Sequence, residues 1–194
     1  MLNDEHLVRK CLANDARAWE QLYKQFAARM FGVCLRYGKN KMEAEDLLHD
    51  GFVRVFNNLS EFRFEGSFEG WMRRIMVNTA INYYRKNLAD NIDETDLSGA
   101  SDIKSSGESV FSFLSTQELL GYVNDLPDGY RMIFNLYAID GFKHHEIGEM
   151  LGISENTSKT QLSKARRALQ ERIFAEKYET VYNSDYKNRN NGTT

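Results

Sequence analysis

Proline is almost missing from this chain. Pro127 is the one proline among 194 residues, so long stretches are free of the residue that breaks helices. Alternating runs of β-branched residues are missing too, and apolar residues recur instead with a period near 3.6, so an all-α fold is expected. Cysteine is scarce. Cys11 and Cys34 lie inside amphipathic runs with no metal or redox spacing around them. Buried free thiols in a reducing, cytoplasmic setting are therefore expected. No apolar run approaches ~20 residues, so no membrane insertion is expected. The first ten residues, MLNDEHLVRK, are too polar for a signal peptide. Charge of one sign is also lacking: the formal net charge is −3, which removes any whole-chain argument for nucleic acid. No carboxylate pair, nucleophile constellation or phosphate-cradling glycine loop stands out, so neither an enzyme nor a cofactor is expected. His144 and His145 make no metal site, because Glu149 stands where a zinc-protease spacing would need histidine.

What charge there is, is segregated. Residues 71–87 hold Arg73, Arg74, Arg85 and Lys86 and no acid. Residues 88–118 hold seven acids against Lys104. Residues 159–172 are basic again, with Glu171 alone opposing. Helices are predicted near 4–13 and 15–37, then from an Asn40 cap to about 59 with Glu43 in the reciprocal position. Another is predicted over 71–87. The stretch LADNIDETDLSGASDIKSSGESV reads as an acidic linker. Helical order resumes with a Ser115–Glu118 capping box. Pro127 suits a helix first turn. Asp140–Gly141 and Gly152 act as stops, and Ser154 caps a last helix to about Lys177. The expected architecture is two small helical domains at 1–88 and 115–177, a flexible linker at 89–114 and a disordered tail at 178–194.

Residues 143–173 read as helix, tight turn, helix, the layout of a helix-turn-helix whose second helix enters the major groove. At 100° per residue, Ser158, Leu162, Ala165, Leu169 and Ile173 share a core face, while Asn156, Thr160, Lys164 and Arg167 lie opposite. Short polar side chains let a helix sit deep in a groove, and flanking bases reach phosphates. A solvated helical hairpin has the same pattern. Upstream, Trp71, Arg74, Ile75, Asn78, Asn82 and Arg85 fall in one arc. Aromatics for stacking, asparagines for base edges and arginines for backbone suit single-stranded nucleic acid. The preceding loop carries Phe62, Phe64 and Phe68 among glycines; it suits either a pocket for an extruded base or simple packing of a helix junction. On the helix before that, Asp46, Asp50 and Val53 point outward, a pattern for protein docking.

Three blocks carry a resemblance: AEDLLHDGFVRVF, FRFEGSFEGWMRRIMVNTAINYYRK and LPDGYRMIFNLYAIDGFKHHEIGEMLGISENTSKTQLSKARRAL. Their order, the tether between them and the total length resemble a bacterial sigma factor of the extracytoplasmic-function group; the SENTSKTQLSKAR form resembles sigma factors of Bacteroidetes-type bacteria. The resemblance implies a sigma region 2 bundle and a sigma region 4 helix-turn-helix. It implies a protein that binds core RNA polymerase, reads −35 and −10 promoter elements and promotes melting. Asp46, His49, Asp50 and Val53 would dock on the β′ clamp helices, with His49 where the family has glutamine. Phe62, Phe64, Ser67 and Phe68 would form the loop that captures a flipped −10 base. Trp71, Arg74, Asn78, Asn82 and Arg85 would engage the melting strand, Asn82 replacing a common aspartate. Asn156, Thr157, Lys159, Thr160, Gln161 and Lys164 would read the −35 element, Gln161 standing where relatives place arginine. Expected partners are core polymerase (β′ clamp helices and β flap), promoter DNA and an anti-sigma factor, with a monomer when free. The competing reading is a stand-alone helix-turn-helix regulator, which leaves the Trp71 arc and the acidic tether without a purpose.

Overall fold

The computed structural model describes residues 2–90 and 116–190, all of whose regular elements are helical. The expected acidic linker lies almost wholly outside the described residues, as does Ser115 of the expected capping box. The chain divides into two compact units, Met1–Leu97 and Ser98–Thr194.

The first unit is built from α1 (Leu2–Leu12), α2 (Ala16–Tyr37), α3 (Lys41–Asn57), a 3₁₀ turn (Leu59–Glu61) and α4 (Phe68–Asp90). The starts of α2 and α3 have a chemical reason. The Asp15 carboxylate accepts from the backbone N–H of Arg17 at 2.9 Å and of Ala18 at 3.3 Å, capping α2. Asn40 Oδ1 accepts from Glu43 N at 2.9 Å, as its sequence position predicts. The Glu43 carboxylate reaches back one residue further than expected, to Lys39 N at 2.8 Å. The helices then bury one face each. Leu22, Phe26, Met30 and Val33 of α2 meet Ala44, Leu47, Phe52 and Val55 of α3 and Met72, Met76, Val77 and Ala80 of α4. Each large side chain so buried contributes roughly 1.5–3 kcal/mol. Cys11 and Cys34 are buried free thiols. Burial pushes the Cys11 thiol up to about 11 and the Cys34 thiol up to about 12, so both stay protonated and unreactive. Helix α4 starts three residues before the predicted Trp71, because Ser67 serves as its cap and Gly70 N donates to Ser67 Oγ at 3.3 Å.

The second unit comprises α5 (Thr116–Asn124), α6 (Asp128–Phe134), a π-helical turn (Asn135–Ile139), α7 (His144–Leu151) and α8 (Glu155–Asn190). Pro127 is the N-cap of α6. Arg131, 5% exposed, ties the α5–α6 junction together. Its Nη1 donates to the carbonyls of Asn124 and Leu126 at 3.1 and 3.2 Å, and its Nη2 to the Asp128 carboxylate at 2.9 Å. The core gathers Val123, Met132, Ile133 and Leu136 with Ile147 and Leu151 of α7 and Leu162, Ala165, Leu169 and Ile173 of α8. Toward its middle, α8 is fixed to α5 by the Tyr122 hydroxyl donating to Glu176 and to the residue after α5 by Arg172–Asp125 at 2.8 Å. Helix α8 continues to Asn190, past the predicted end at Lys177, so most of the segment read as a disordered tail is helical. The sequence between Gly152 and Gly192 contains no glycine or proline to stop it.

Candidate nucleic-acid interface

The turn between α7 and α8 depends on two glycines. Gly152 takes φ +71°, the left-handed conformation that ends a helix. A Cβ on Gly148 would lie 2.8 Å from the carbonyl oxygen of Ile153, so only glycine lets the turn fold back onto α7. Ser154 Oγ then accepts from Thr157 N at 2.9 Å and starts α8. The face assigned inward by the wheel is inward: Ser158, Leu162, Ala165, Leu169 and Ile173 are all buried. On the other side Asn156, Lys159 and Arg167 are exposed, and Thr157, Thr160, Gln161 and Lys164 are half-buried. Lys159 pairs with Glu155 at 2.7 Å along the surface, an interaction worth little that a phosphate could replace.

Buried Ser158 is held by His144, which the sequence reading weighed only as a metal ligand. His144 Nδ1 lies 2.9 Å from Ser158 Oγ, and its ring stacks on Tyr137 at 4.3 Å between centroids. Arg166 covers Tyr137 at 5.8 Å. The π turn displays Tyr137 to this stack, and no local sequence signal announces such a turn. Desolvation first, and Lys159 second, hold the His144 pKa below its ordinary value. His144 thus bridges α7 and α8 beside the turn.

In the first unit, Arg74, Asn78, Asn82 and Arg85 are exposed along one face of α4, with Trp71 half-buried at its head. Arg73 and Lys86 flank them and are exposed too. At the loop before α4, two of the three phenylalanines pack the helix junction, one of the two alternatives that the sequence left open. Phe62 and Phe68 are 7% and 5% exposed. Phe62 contacts Phe68 at 5.1 Å and Trp71 at 5.5 Å, and Phe68 packs edge-on to Phe26 at 5.5 Å. These two rings form the junction's core; three aromatics so close in sequence bury each other first. Phe64 and Ser67 remain at the surface, half-buried and exposed respectively.

On α3, Asp46, Asp50 and Val53 are exposed, as helical spacing predicts, and His49 is exposed beside them. His49 Nδ1 lies 3.7 Å from Asp50. Beside them a groove of about 520 Å³ runs between α2 and α3, lined in part by Tyr23, Phe31, Leu48, Phe52 and Phe56. The sequence reading found the charged edge and missed this apolar floor, half of which comes from α2. Among the described residues no helix is long and apolar enough to cross a membrane, and no three His, Cys, Asp or Glu side chains gather as a metal site.

Comparison with known proteins joins these surfaces. Residues 22–89 match the model of Sigma-70 region 2 and residues 116–169 that of Sigma-70, region 4, together more than half of the chain. The chain is 27% identical to the ECF RNA polymerase sigma factor SigW of Bacillus subtilis, across 86% of this chain and 94% of that one. It is 26% identical to the ECF RNA polymerase sigma factor SigE of Mycolicibacterium smegmatis, across 84% of this chain and 65% of that relative. Among solved structures, the sigma factor RpoE of Bartonella quintana, in complex with the anti-sigma factor NepR, aligns with a TM-score of 0.48 at 20% identity, covering 82% of this chain and 98% of that one.

Proposed function

Because this chain is an extracytoplasmic-function sigma factor of the sigma-70 family, we propose that its two polar helix faces read the two halves of a promoter while α3 docks on core RNA polymerase. The observation that carries this is the pairing of surfaces. One helix start is small, polar and exposed, suited to a duplex groove. One helix face combines Trp71 with Arg74, Asn78, Asn82 and Arg85, suited to an unpaired strand. A stand-alone regulator uses the first and has no use for the second.

In this reading residues 1–88 bind polymerase and the −10 element, 89–114 link, and 115–177 bind the −35 element. Asn156, Thr157, Thr160 and Gln161 face base edges. Glutamine pairs bidentately with adenine, where arginine would favour guanine. Lys159 and Lys164 serve phosphates. Along α4, Trp71 stacks on a base at its half-exposed face, Asn78 and Asn82 bond base edges, and Arg74 and Arg85 hold the backbone. Phe62 and Phe68 support this face from beneath, and Ser67 and Phe64 border it. Asp46, His49, Asp50 and Val53 meet the clamp helices. Melting needs no catalytic residue: bases captured on α4 offset their unstacking, a few kcal/mol each. The chemistry of RNA synthesis belongs to polymerase, and the site of action is where polymerase works, in the cytoplasm. An anti-sigma factor belongs to the same proposal as a further partner.

The test is to select promoters from random-sequence DNA with the reconstituted holoenzyme, then assay variants on them. Gln161→Arg should shift preference at one −35 position from adenine toward guanine. Asn78→Ala with Asn82→Ala should weaken discrimination in the −10 element alone. If either substitution alters the opposite element, or neither alters any, the assignment of surfaces is wrong.

A further inference from the structure

Helix α1 precedes the part of the chain that matches region 2, yet one of its side chains reaches the −10 loop. Arg9 lies over the face of the Phe64 ring, its guanidinium carbon 4.7 Å from the centroid. Both Arg9 Nε and Nη2 donate to Glu5 Oε1, at 3.2 and 2.6 Å. A guanidinium held by a ring on one side and a carboxylate along one edge has a fixed plane. Its outer side stays open, since the Arg9 side chain is 62% exposed. Phe64 adopts φ +59°, a conformation that bulky residues avoid. It is braced there by Phe62, 5.0 Å away, which also touches Trp71 at 5.5 Å. The strained residue thus delivers a ring to Arg9 that sits one neighbour away from the head of the α4 face.

We propose that Arg9, stacked on Phe64, is a further single-strand-binding residue: its open guanidinium face takes a base of the melted promoter strand next to the one at Trp71. Bases stack on arginine planes as they do on aromatic rings, and here the plane is already ordered before DNA arrives. Glu5 fixes the plane and leaves Nη1 free of it, so a phosphate or base oxygen can accept from Nη1. The Phe64 ring acts through Arg9, which covers one of its faces.

This rests on the sigma-factor reading, and the experiment separates the two. The probe is a fork-junction DNA with a single-stranded −10 region, carried on a promoter selected by the wild-type holoenzyme, with 2-aminopurine placed at successive positions. Arg9→Ala holoenzyme should bind the fork roughly 5- to 150-fold more weakly, the range of one lost stacked base, and one 2-aminopurine position should lose its quenching. Arg9→Lys keeps the charge but not the plane and should recover little. Phe64→Leu should cost about as much as Arg9→Ala, and the double variant no more than either. Binding of duplex DNA that carries the −35 element alone, and the melting temperature of the free protein, should stay unchanged in Arg9→Ala. Equal fork affinity for wild type and Arg9→Ala overturns the proposal, and so does full recovery by Arg9→Lys, which would make the contact one of charge alone. A wild-type holoenzyme that cannot select or bind any fork overturns instead the reading on which it rests.

Discussion

Replacing Arg131 with methionine separates a buried hydrogen-bond anchor from a surface ion pair. Methionine keeps the aliphatic packing of a residue that is 5% exposed and removes the guanidinium. Three acceptors lose a donor: the carbonyls of Asn124 and Leu126 and the Asp128 carboxylate. The Asp128 side chain is 52% exposed, so water replaces that partner and the pair is worth about 0–1 kcal/mol. The carbonyl contacts are shielded. Hydrogen bonds from a charged group are worth about 1.5–3 kcal/mol each, and two from one nitrogen are not additive, so the net loss is about 3 kcal/mol. For a unit of this size that lowers Tm by roughly 10–25 °C. Calorimetry of the full chain measures it, with Leu169→Ala identifying the transition of the second unit. Asp128→Asn should move the same transition by a few degrees at most. A shift under about 3 °C for Arg131→Met, or an equal shift for Asp128→Asn, would show that the carbonyl contacts do not hold the α5–α6 junction.

Gly148→Val should destabilise the second unit by about 2 kcal/mol, because its Cβ meets the Ile153 carbonyl at 2.8 Å and overpacking costs about 1–3 kcal/mol; calorimetry and duplex −35 binding by the holoenzyme should fall together. His144 should make the same unit acid-sensitive. Its folded pKa lies below the ordinary 6.5, so its contribution is present above that value and is lost as pH falls through the folded pKa. Tm should therefore drop on acidification in the wild type and less so in His144→Asn, as thermal melts at a series of pH values would show. Phe62→Ala should cost about 3–5 kcal/mol in urea unfolding, the range for a large aromatic removed from a core, whereas Trp71→Ala should cost less stability and more fork-DNA affinity.

Where local chemistry decides, the sequence was readable. Asn40, Ser154 and Gly152 each punctuate a helix through a bond or backbone angle set within a few residues, and all three do so as expected. The inward face of α8 followed from helical spacing alone. What was not readable depends on contacts between distant residues. Phe62 and Phe68 look the same in sequence whether they line a pocket or fill a junction, and Phe26 on α2 helps decide for the junction. The His144–Ser158 bond spans fourteen residues, and the Arg9–Phe64 stack spans two whole helices and the 3₁₀ turn. The end of α8 was misplaced for another reason: polar composition lowers helix propensity without supplying a stop, and a helix begun in a core can run on past it.

The most direct measurement is permanganate reactivity of thymines on a selected promoter. With core polymerase alone no thymine should react. With the chain added, thymines in and just downstream of the −10 element should become reactive, and the Arg74→Ala, Asn78→Ala, Asn82→Ala triple variant should bind the same DNA while leaving them paired. Equal reactivity with the triple variant, or melting by core polymerase without the chain, would contradict the assignment of strand capture to α4.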